Sequence, residues 1–468
     1  MRKCAITLGF STLMINKLKC GAVRVQTLIA YALIKQGLRR DWPIIVAVGW
    51  RVAMRPSLKA KARKFGRKKL VVLSKSAGVD DIEAAYAEHV APYAVLFLPR
   101  QVVKQSGLFM LGGRVSDNSY HSTDVDLEKA KKLYRDHLSR VLIWFQRLFG
   151  LSAMAQFNIV YWAERELSAA CVEQGIRFVA THKECNWSPA VINKKINLYS
   201  ESVGSFQGSA VSVYNSTTKK IFTAAGIINE NLVSVPGCAR LDESHKYRSN
   251  AKLPQTRTVL FYLVDGKAGL AGLKDEETGQ WIKGAPLSDG SVGDWSAMVA
   301  KVNAAVMDLA TTNPDIQVIC KGKTGLADHQ LGQLVEAAGG GSLPNNVDLI
   351  AGGVGHKLIE KASVVIGFNT TAVMEAMAAG VPVIVPNIFS EQEKQIVGYA
   401  HEVNEGALVP TTTEQLTSMV LDVLEAGNRY KELTQGQKNV LDRMLGNSDG
   451  KAGERLRAFL DKAVYDEL

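Results

Sequence analysis

Apolar runs of strand length alternate with stretches of helical period along most of this chain, the pattern of a largely parallel sheet covered on both faces. In the N-terminal half the pattern predicts strands at Pro43–Val48, Leu70–Leu73, Tyr93–Leu98, Ile176–Thr181 and Ala210–Val213. Helices are predicted over Val23–Gln36, Asp80–His89, Asp126–Phe149 and Asn158–Gln174. Glu243–Thr256 is charged, has no apolar period and contains Pro254, so it predicts a polar hinge. A new strand, Thr258–Val264, then opens a more regular series. It continues as helix Trp295–Thr311, strand Ile316–Cys320, helix Gln330–Ala338, strand Val347–Ile350, helix Gly355–Ala362, strand Val364–Phe368, helix Thr371–Ala379 and strand Pro382–Pro386. Such alternation predicts a doubly wound α/β protein. From Thr413 onward the pattern is helical, and Tyr430–Leu468 has charged faces suited to packing back on the first domain.

A length of 468 residues, 47% hydrophobic and 22% charged, is ample for two domains with their own cores. The net charge of +11 is uneven: residues 1–75 hold 18 Lys and Arg against Asp41 alone, a local +17, and the remainder carries −6. The run from Lys59 to Lys69 therefore sets up a positive field, which suits an anionic membrane surface or acidic polymer or is simply a solvated face. It holds a single aromatic, Phe65, and no series of stacking aromatics interleaves with it, so nucleic acid is not the expected partner. Cys4, Cys20, Cys171, Cys185, Cys238 and Cys320 lack paired spacing and read as reduced thiols of a cytoplasmic protein. The opening MRKCAITLGFSTLMINKLK imitates a signal peptide but turns basic again at Lys17, and it reads as a buried first element. Val141–Trp162 is interrupted by Gln146, Arg147 and Asn158 and reads as a core helix pair rather than a membrane span.

The sharpest motif is VVIGFNTTAVMEAMAAGVPVIVPN, Val364–Asn387, a strand, tight turn, helix and strand. Asn369, Thr370 and Thr371 fall at the carboxyl end of the strand, where open parallel sheets bind ligands. The helix that follows presents unpaired N–H groups and a positive dipole end, a natural seat for phosphate. Glu375, one turn into the helix, is placed to accept from ribose hydroxyls. A bare βαβ unit whose threonines only cap the helix has the same sequence form.

The run EAMAAGVPVIVPN resembles the nucleotide-binding signature of GT-B glycosyltransferases. The wider stretch from Leu343 to Pro386 is similar to bacterial surface-carbohydrate transferases of the CDP-glycerol or CMP-Kdo type. That resemblance implies a GT-B-like α/β fold, two doubly wound Rossmann-type domains facing a cleft, with a C-terminal helix packing back on the first domain. The implied domains are an acceptor-side domain over 1–250, a donor nucleotide-binding domain over 257–430 and C-terminal helices over 431–468. It implies that Asn369, Thr370 and Thr371 bind donor phosphate and that Glu375 holds ribose. Many retaining members carry a Glu eight positions earlier, where this chain has Gly367, so a mechanism using that residue is not expected. In SVYNSTTKKIFTAAGIINENLVSVPGCARLD, Gly237, Arg240 and Asp242 fit the G-x-x-R-x-D turn of similar transferases, with Arg240 as a phosphate ligand or else paired with Asp242.

Lys321 and Lys323 follow the strand Ile316–Cys320, so position alone puts them on the same sheet edge as Thr370, fit to neutralise a leaving nucleotide. No DxD-like pair stands at such an edge; Asp126, in the acidic stretch HSTDVD, is the nearest candidate for one, and neither a metal nor a cofactor is expected. His182 and Glu184, in THKE after the strand Ile176–Thr181, are candidates for general base, Glu184 alternatively for nucleophile. His329, His356 and His401 are too far apart to read as a metal set. The glycine-rich loop Asp265–Asp294 has the length of a lid. The expected protein is a metal-independent glycosyltransferase, cytoplasmic or peripheral at the inner membrane through residues 59–69. It would move a sugar from a nucleotide-activated donor to a polysaccharide or lipid-linked acceptor. Glycerophosphate transfer, non-hydrolysing nucleotide-sugar epimerisation and non-catalytic binding of a sugar nucleotide are the alternatives.

Overall fold

A computed structural model describes residues 25–467 except 63–67, 113–114, 118, 122–123, 251–255, 265–272, 275–280, 283–284, 287–291, 323–326, 353–354, 392, 397–400 and 428. The chain forms two compact units. The first takes the residues up to His182, Ser205–Ser212 and Arg457–Leu468; the second takes Lys183–Gly204 and Val213–Leu456. The chain thus changes unit at 182/183, 204/205, 212/213 and 456/457; the domains expected from the sequence run over 1–250, 257–430 and 431–468.

The sheet of the first unit is built from β1 (Arg55–Pro56), β2 (Lys69–Ser74), β3 (Ala94–Pro99), β4 (Leu151–Gln156), β5 (Arg177–His182) and β6 (Ala210–Val213). Their order is β1-β3-β2-β4-β5-β6, with β2, β3, β4 and β5 parallel and β1 antiparallel at the edge. The strand order reverses at β2, whose two neighbours are the next strand in the chain and the one after that. Val71, Leu73, Leu98, Met154 and Phe178 bury one sheet face against Trp50, Leu138, Val141 and Phe145 from two helices. The longer of these, Val125–Phe149, starts where the Asp124 carboxylate accepts from the N–H groups of Asp126 and Leu127 and stops at Gly150 with φ +69°. Asp126 is therefore an exposed first-turn acid, in the place the helix dipole favours.

The second unit carries β7 (Thr258–Tyr262), β8 (Gln317–Gly322), β9 (Val347–Ala351), β10 (Val364–Ile366) and β11 (Val383–Ile384), all parallel, ordered β9-β8-β7-β10-β11. Because successive side chains point to opposite faces, the strands divide between two cores. Val259, Phe261, Val364, Ile366 and Ile384 face one cluster with the helices Ser296–Thr312 and Thr413–Ala426; Leu260, Tyr262, Val365 and Val383 face the other with Thr371–Ala378 and Gln435–Leu445. The α/β class expected from the alternation is the one observed, with a largely parallel sheet in each unit.

Three predicted elements are corrected. Pro43–Val48, expected as a strand, belongs to the helix Pro43–Ala53: proline takes a first-turn position, where its missing N–H costs nothing, and Val46, Ala47, Trp50 and Ala53 bury at helical spacing. Leu151–Gln156 is a central strand, not part of a helix pair; LSAMAQ has no β-branched or aromatic residue to announce it, and Gly150 ends the preceding helix one residue earlier. The expected hinge at Glu243–Thr256 is partly the helix Leu241–Asn250, held by polar anchors rather than an apolar stripe: Arg248 donates to the Ala378 carbonyl and His245 Nε2 meets the Asn447 carbonyl. The N-terminal 24 residues and residues 63–67 of the basic run lie outside the described residues.

Candidate nucleotide site

Along the second sheet the strand order reverses between β7 and β10, so their carboxyl ends border the crevice where doubly wound sheets bind ligands. From β10 the chain passes through Gly367, buried Phe368 and buried Asn369 to Thr370. Thr370 has extended backbone and its Oγ1 accepts from Ala372 N at 3.1 Å, so it is the N-cap, and Thr371 is the first helical residue. Gly367 must lack a side chain: a Cβ there would sit 2.6 Å from Val373 Cγ2. The position eight residues before Glu375 is thus closed by the packing of this helix. On the β7 side, buried Tyr262 donates to the Gly355 carbonyl at 3.4 Å, at the start of the helix Gly355–Ile359. Burial, and secondarily the Glu375 carboxylate, push the Tyr262 phenol far above its usual range.

Arg240 and Glu375 are brought together. Arg240 Nε lies 3.1 Å from Glu375 Oε1, and its Nη1 donates to Tyr214 Oη at 2.8 Å. Both charged side chains are less than one-fifth exposed. The alternative Arg240–Asp242 pair is not formed. Asp242 instead accepts from Asn447 Nδ2 at 2.7 Å, Ala452 N at 3.1 Å and Gly453 N at 2.7 Å, and burial raises its pKa. Gly237, with φ +92° and no space for a Cβ against the Gly446 carbonyl, completes this docking. Gly237 and Asp242 therefore hold the turn to the chain beyond residue 440, and Arg240 is aimed at the helix by that anchoring.

Asn369 Oδ1 accepts from Asn186 Nδ2 at 3.5 Å. The segment around Asn186 is itself fastened to the helix Ser216–Ala224: Thr218 Oγ1 accepts from Trp187 Nε1 at 2.9 Å, and the capping residue Asn215 donates to the Cys185 carbonyl at 3.1 Å. Lys321 is within β8 rather than beyond it; its Nζ donates to the Gly322 carbonyl at 3.1 Å, and burial lowers its pKa. Lys323 lies outside the described residues, as does most of 265–294, where only two short antiparallel pairings are described. His182 closes β5 of the first unit, fully buried, with its Nδ1 3.4 Å from Ile159 N, whereas Glu184 is exposed and belongs to the second unit. Among the described residues no three His, Cys, Asp or Glu side chains are grouped to hold a metal, and no helix is long and apolar enough to cross a membrane.

No protein-family model matches the chain, and no curated protein sequence does. Solved structures similar to it include a protein assigned as a UDP-N-acetylglucosamine 2-epimerase from Listeria monocytogenes, at 14% identity and TM-score 0.49, covering 86% of this chain and 98% of that one. The UDP-GlcNAc 2-epimerase of Neisseria meningitidis bound to UDP-GlcNAc is similar at 12% identity and TM-score 0.45, covering 85% and 100%. The wall teichoic acid polymerase TagF is similar at 10% identity and TM-score 0.46, covering 95% and 99%. At these identities the likeness assigns no residue a role.

Tyr214, Tyr262 and Asn186 were not singled out by sequence. Tyr214 and Tyr262 stand at strand ends, the same signal that marks Thr370, and the rule that picked one could have picked all three. Lys195, also missed, is 3% exposed in the helix Ile192–Ser202, with its ammonium 5.5 and 5.6 Å from the rings of Trp187 and Tyr199. Burial lowers its pKa to about 8 from an ordinary 10.5. Since the unfolded chain then holds more protons between these two values, stability should rise with pH from about 8 to about 10.5, by about 3 kcal/mol in all. Lys195→Met should accordingly stabilise the protein at pH 7 and lose that advantage by pH ~10.5. Urea midpoints of both proteins across this range check it, and parallel pH profiles would refute it.

Proposed function

We propose that the second unit binds a nucleotide-activated donor at the start of the helix Thr371–Ala378, and that the protein is a GT-B-type glycosyltransferase acting on a surface polysaccharide or lipid-linked acceptor. The observation that carries the reading is the Thr370-capped helix start at the reversal of strand order, with Arg240 and Glu375 held one turn away. Backbone N–H groups and the helix dipole would receive phosphate, assisted by Arg240, while Glu375 accepts from ribose hydroxyls. Lys321 and Lys323 would offset charge on the departing nucleotide, which gives the metal-independent reading its chemistry. Of the THKE pair, exposed Glu184 would take the acceptor proton, and His182 would fix the strand end beside it.

Thermal-shift titration with CMP, CDP, UDP and GDP is the direct test. A nucleotide at 100 times its dissociation constant should stabilise by about 2.7 kcal/mol. No shift with any of them, on folded protein, would end the reading. Turnover of a nucleotide sugar without an acceptor would replace transfer by epimerisation, and binding without turnover would leave a non-catalytic protein. The basic run at 59–69 is proposed to hold the protein at anionic membrane from the cytoplasmic side. Partitioning onto phosphatidylserine vesicles, read by flotation, should fall about a thousandfold or more when Lys59, Lys61, Lys68 and Lys69 become glutamate, given about 1 kcal/mol per basic residue near such a surface. Unchanged flotation would remove the membrane from the proposal.

A further inference from the structure

The first described helix, residues 25–39, has apolar side chains on two opposite sides. Its inward side, with Ala30, Ile34 and Leu38, packs on the helix Pro43–Ala53. A Cβ on Gly49 would lie 2.7 Å from Ile34 Cγ1, a Cβ on Gly37 would lie 2.6 Å from Val46 Cγ2, and Gln26 Nε2 donates to the Val52 carbonyl at 2.5 Å and the Met54 carbonyl at 3.4 Å. The two helices therefore run antiparallel. The outward side carries Val25, Leu28, Ile29 and Ala32 at the i, i+3, i+4, i+7 spacing of one helical face, and all four are exposed, Leu28 by 68%. In the later turns the same side becomes basic, at exposed Lys35 and Arg39. A contiguous apolar face of this kind, rimmed by charge, marks an interaction surface.

The antiparallel pairing sets the apolar end of this helix beside the segment that follows Ala53, where the basic run begins. There Leu58 is 91% exposed on a loop pinned by one carboxylate. Glu83 accepts from Ser57 Oγ at 2.6 Å, Leu58 N at 2.9 Å and Lys59 N at 2.7 Å, and Ser57 Oγ accepts from Ala60 N at 2.9 Å. The loop thus holds a leucine out in water with exposed Arg55 and Lys59 near it in the chain, and both oxygens of Glu83 are engaged by the loop. No acid occurs between Asp41 and Asp80, and Asp41 stands at the other end of the helix pair, held by Arg140 at 2.8 Å. Exposed apolar side chains in a field of positive sign match a surface that is anionic above and apolar beneath, an anionic lipid bilayer. A second copy of the chain would bring the same cations to the contact and be repelled.

We propose that Val25, Leu28, Ile29 and Leu58 enter the interfacial layer of an anionic membrane, with the helix of residues 25–39 lying along it and the basic run on the headgroups. The inference rests on the membrane reading of residues 59–69 and adds an apolar anchor to it. Partitioning of the full chain onto vesicles of phosphatidylcholine and phosphatidylserine, read by flotation, tests it. Leu28→Gln with Ile29→Gln should reduce partitioning about a hundredfold, about tenfold for each side chain no longer buried in lipid, and Leu58→Ser about tenfold. These factors should persist in about 1 M salt, where the Debye length falls to about 3 Å, whereas the loss on reversing Lys59, Lys61, Lys68 and Lys69 should shrink there. Unfolding midpoints should stay at the parent's, because the replaced side chains are exposed. A parent protein that never floats would end the membrane reading and this inference together. A parent released by charge reversal but not by the glutamine pair would overturn this inference alone. A markedly lower midpoint in the glutamine pair, or a parent dimer that the pair dissociates, would put protein rather than lipid on this face and would also overturn it.

Discussion

Replacing Arg240 with alanine should weaken nucleotide binding about a hundredfold, the largest loss expected from any side chain near the helix start. The guanidinium is oriented twice, by Glu375 at 3.1 Å and by Tyr214 at 2.8 Å, so its donors are set before a ligand arrives. A charge-assisted contact from such a pre-set fork is worth about 2–5 kcal/mol when truncated, part of it the penalty of stranding the partner. Here the partner is Glu375, its side chain 18% exposed, so the alanine variant should also lose some stability. The two effects can be separated by exchanging the charges. Arg240→Glu with Glu375→Arg retains an ion pair and should recover most of the unfolding midpoint. It should not recover nucleotide affinity, because the cation would then project from the helix rather than toward its start. If the exchanged protein bound nucleotide as well as the parent, the pair would be only structural, and the helix start would have to act without it.

The two-sheet organisation was legible because β7, β10 and β11 of the second unit are short apolar blocks, buried on both faces, and stretches of helical period separate the strands. Where that contrast fails, so does the reading. Pro43–Ala53 is as apolar as a central strand, and only the burial of Val46, Ala47, Trp50 and Ala53 on one side reveals a helix. Leu151–Gln156 is a central strand made of residues that favour helices, and its neighbours β2 and β5 impose its conformation. The helix Leu241–Asn250 shows the opposite case, since it is fixed by hydrogen bonds to carbonyls more than 100 residues away, which no local pattern records.

Within the site, Thr370 could be read as a cap because capping is local chemistry. The pairing of Arg240 with Glu375 could not. The residues are 135 positions apart, and the nearer acid, Asp242, is diverted into a buried network with Asn447 and two backbone N–H groups. Local spacing suggested the wrong partner because it carries no information on what packs beneath the turn. Gly367 illustrates how a departure from a motif gains a physical cause, since the missing side chain is what lets Val373 seat against β10.

The other large effect is expected at the far end of the same helix, where Gly380→Ala should destabilise the second unit by about 3–5 kcal/mol. Gly380 has φ +72°, and the turn closes as a Schellman motif: Gly380 N donates to the Met377 carbonyl at 2.9 Å and Val381 N to the Ala376 carbonyl at 3.0 Å. A Cβ on this residue would lie 2.2 Å from the Tyr430 carbonyl oxygen and 2.8 Å from Arg248 Cγ. Tyr430 N in turn donates to the Gly380 carbonyl at 2.8 Å, so the two backbones are locked face to face and no rotamer change can relieve the overlap. Gly427 provides a matched control. It too ends a helix in the left-handed region, at φ +61°, but the nearest atom to its added Cβ is 4.0 Å away. Gly427→Ala should therefore cost only the conformational penalty of about 1 kcal/mol. The difference between the two unfolding midpoints measures the steric part alone. A Gly380→Ala midpoint no lower than that of Gly427→Ala would mean that the segment at Tyr430 yields, and that the helix start at Thr370 is held by something other than its clamped C-terminal end.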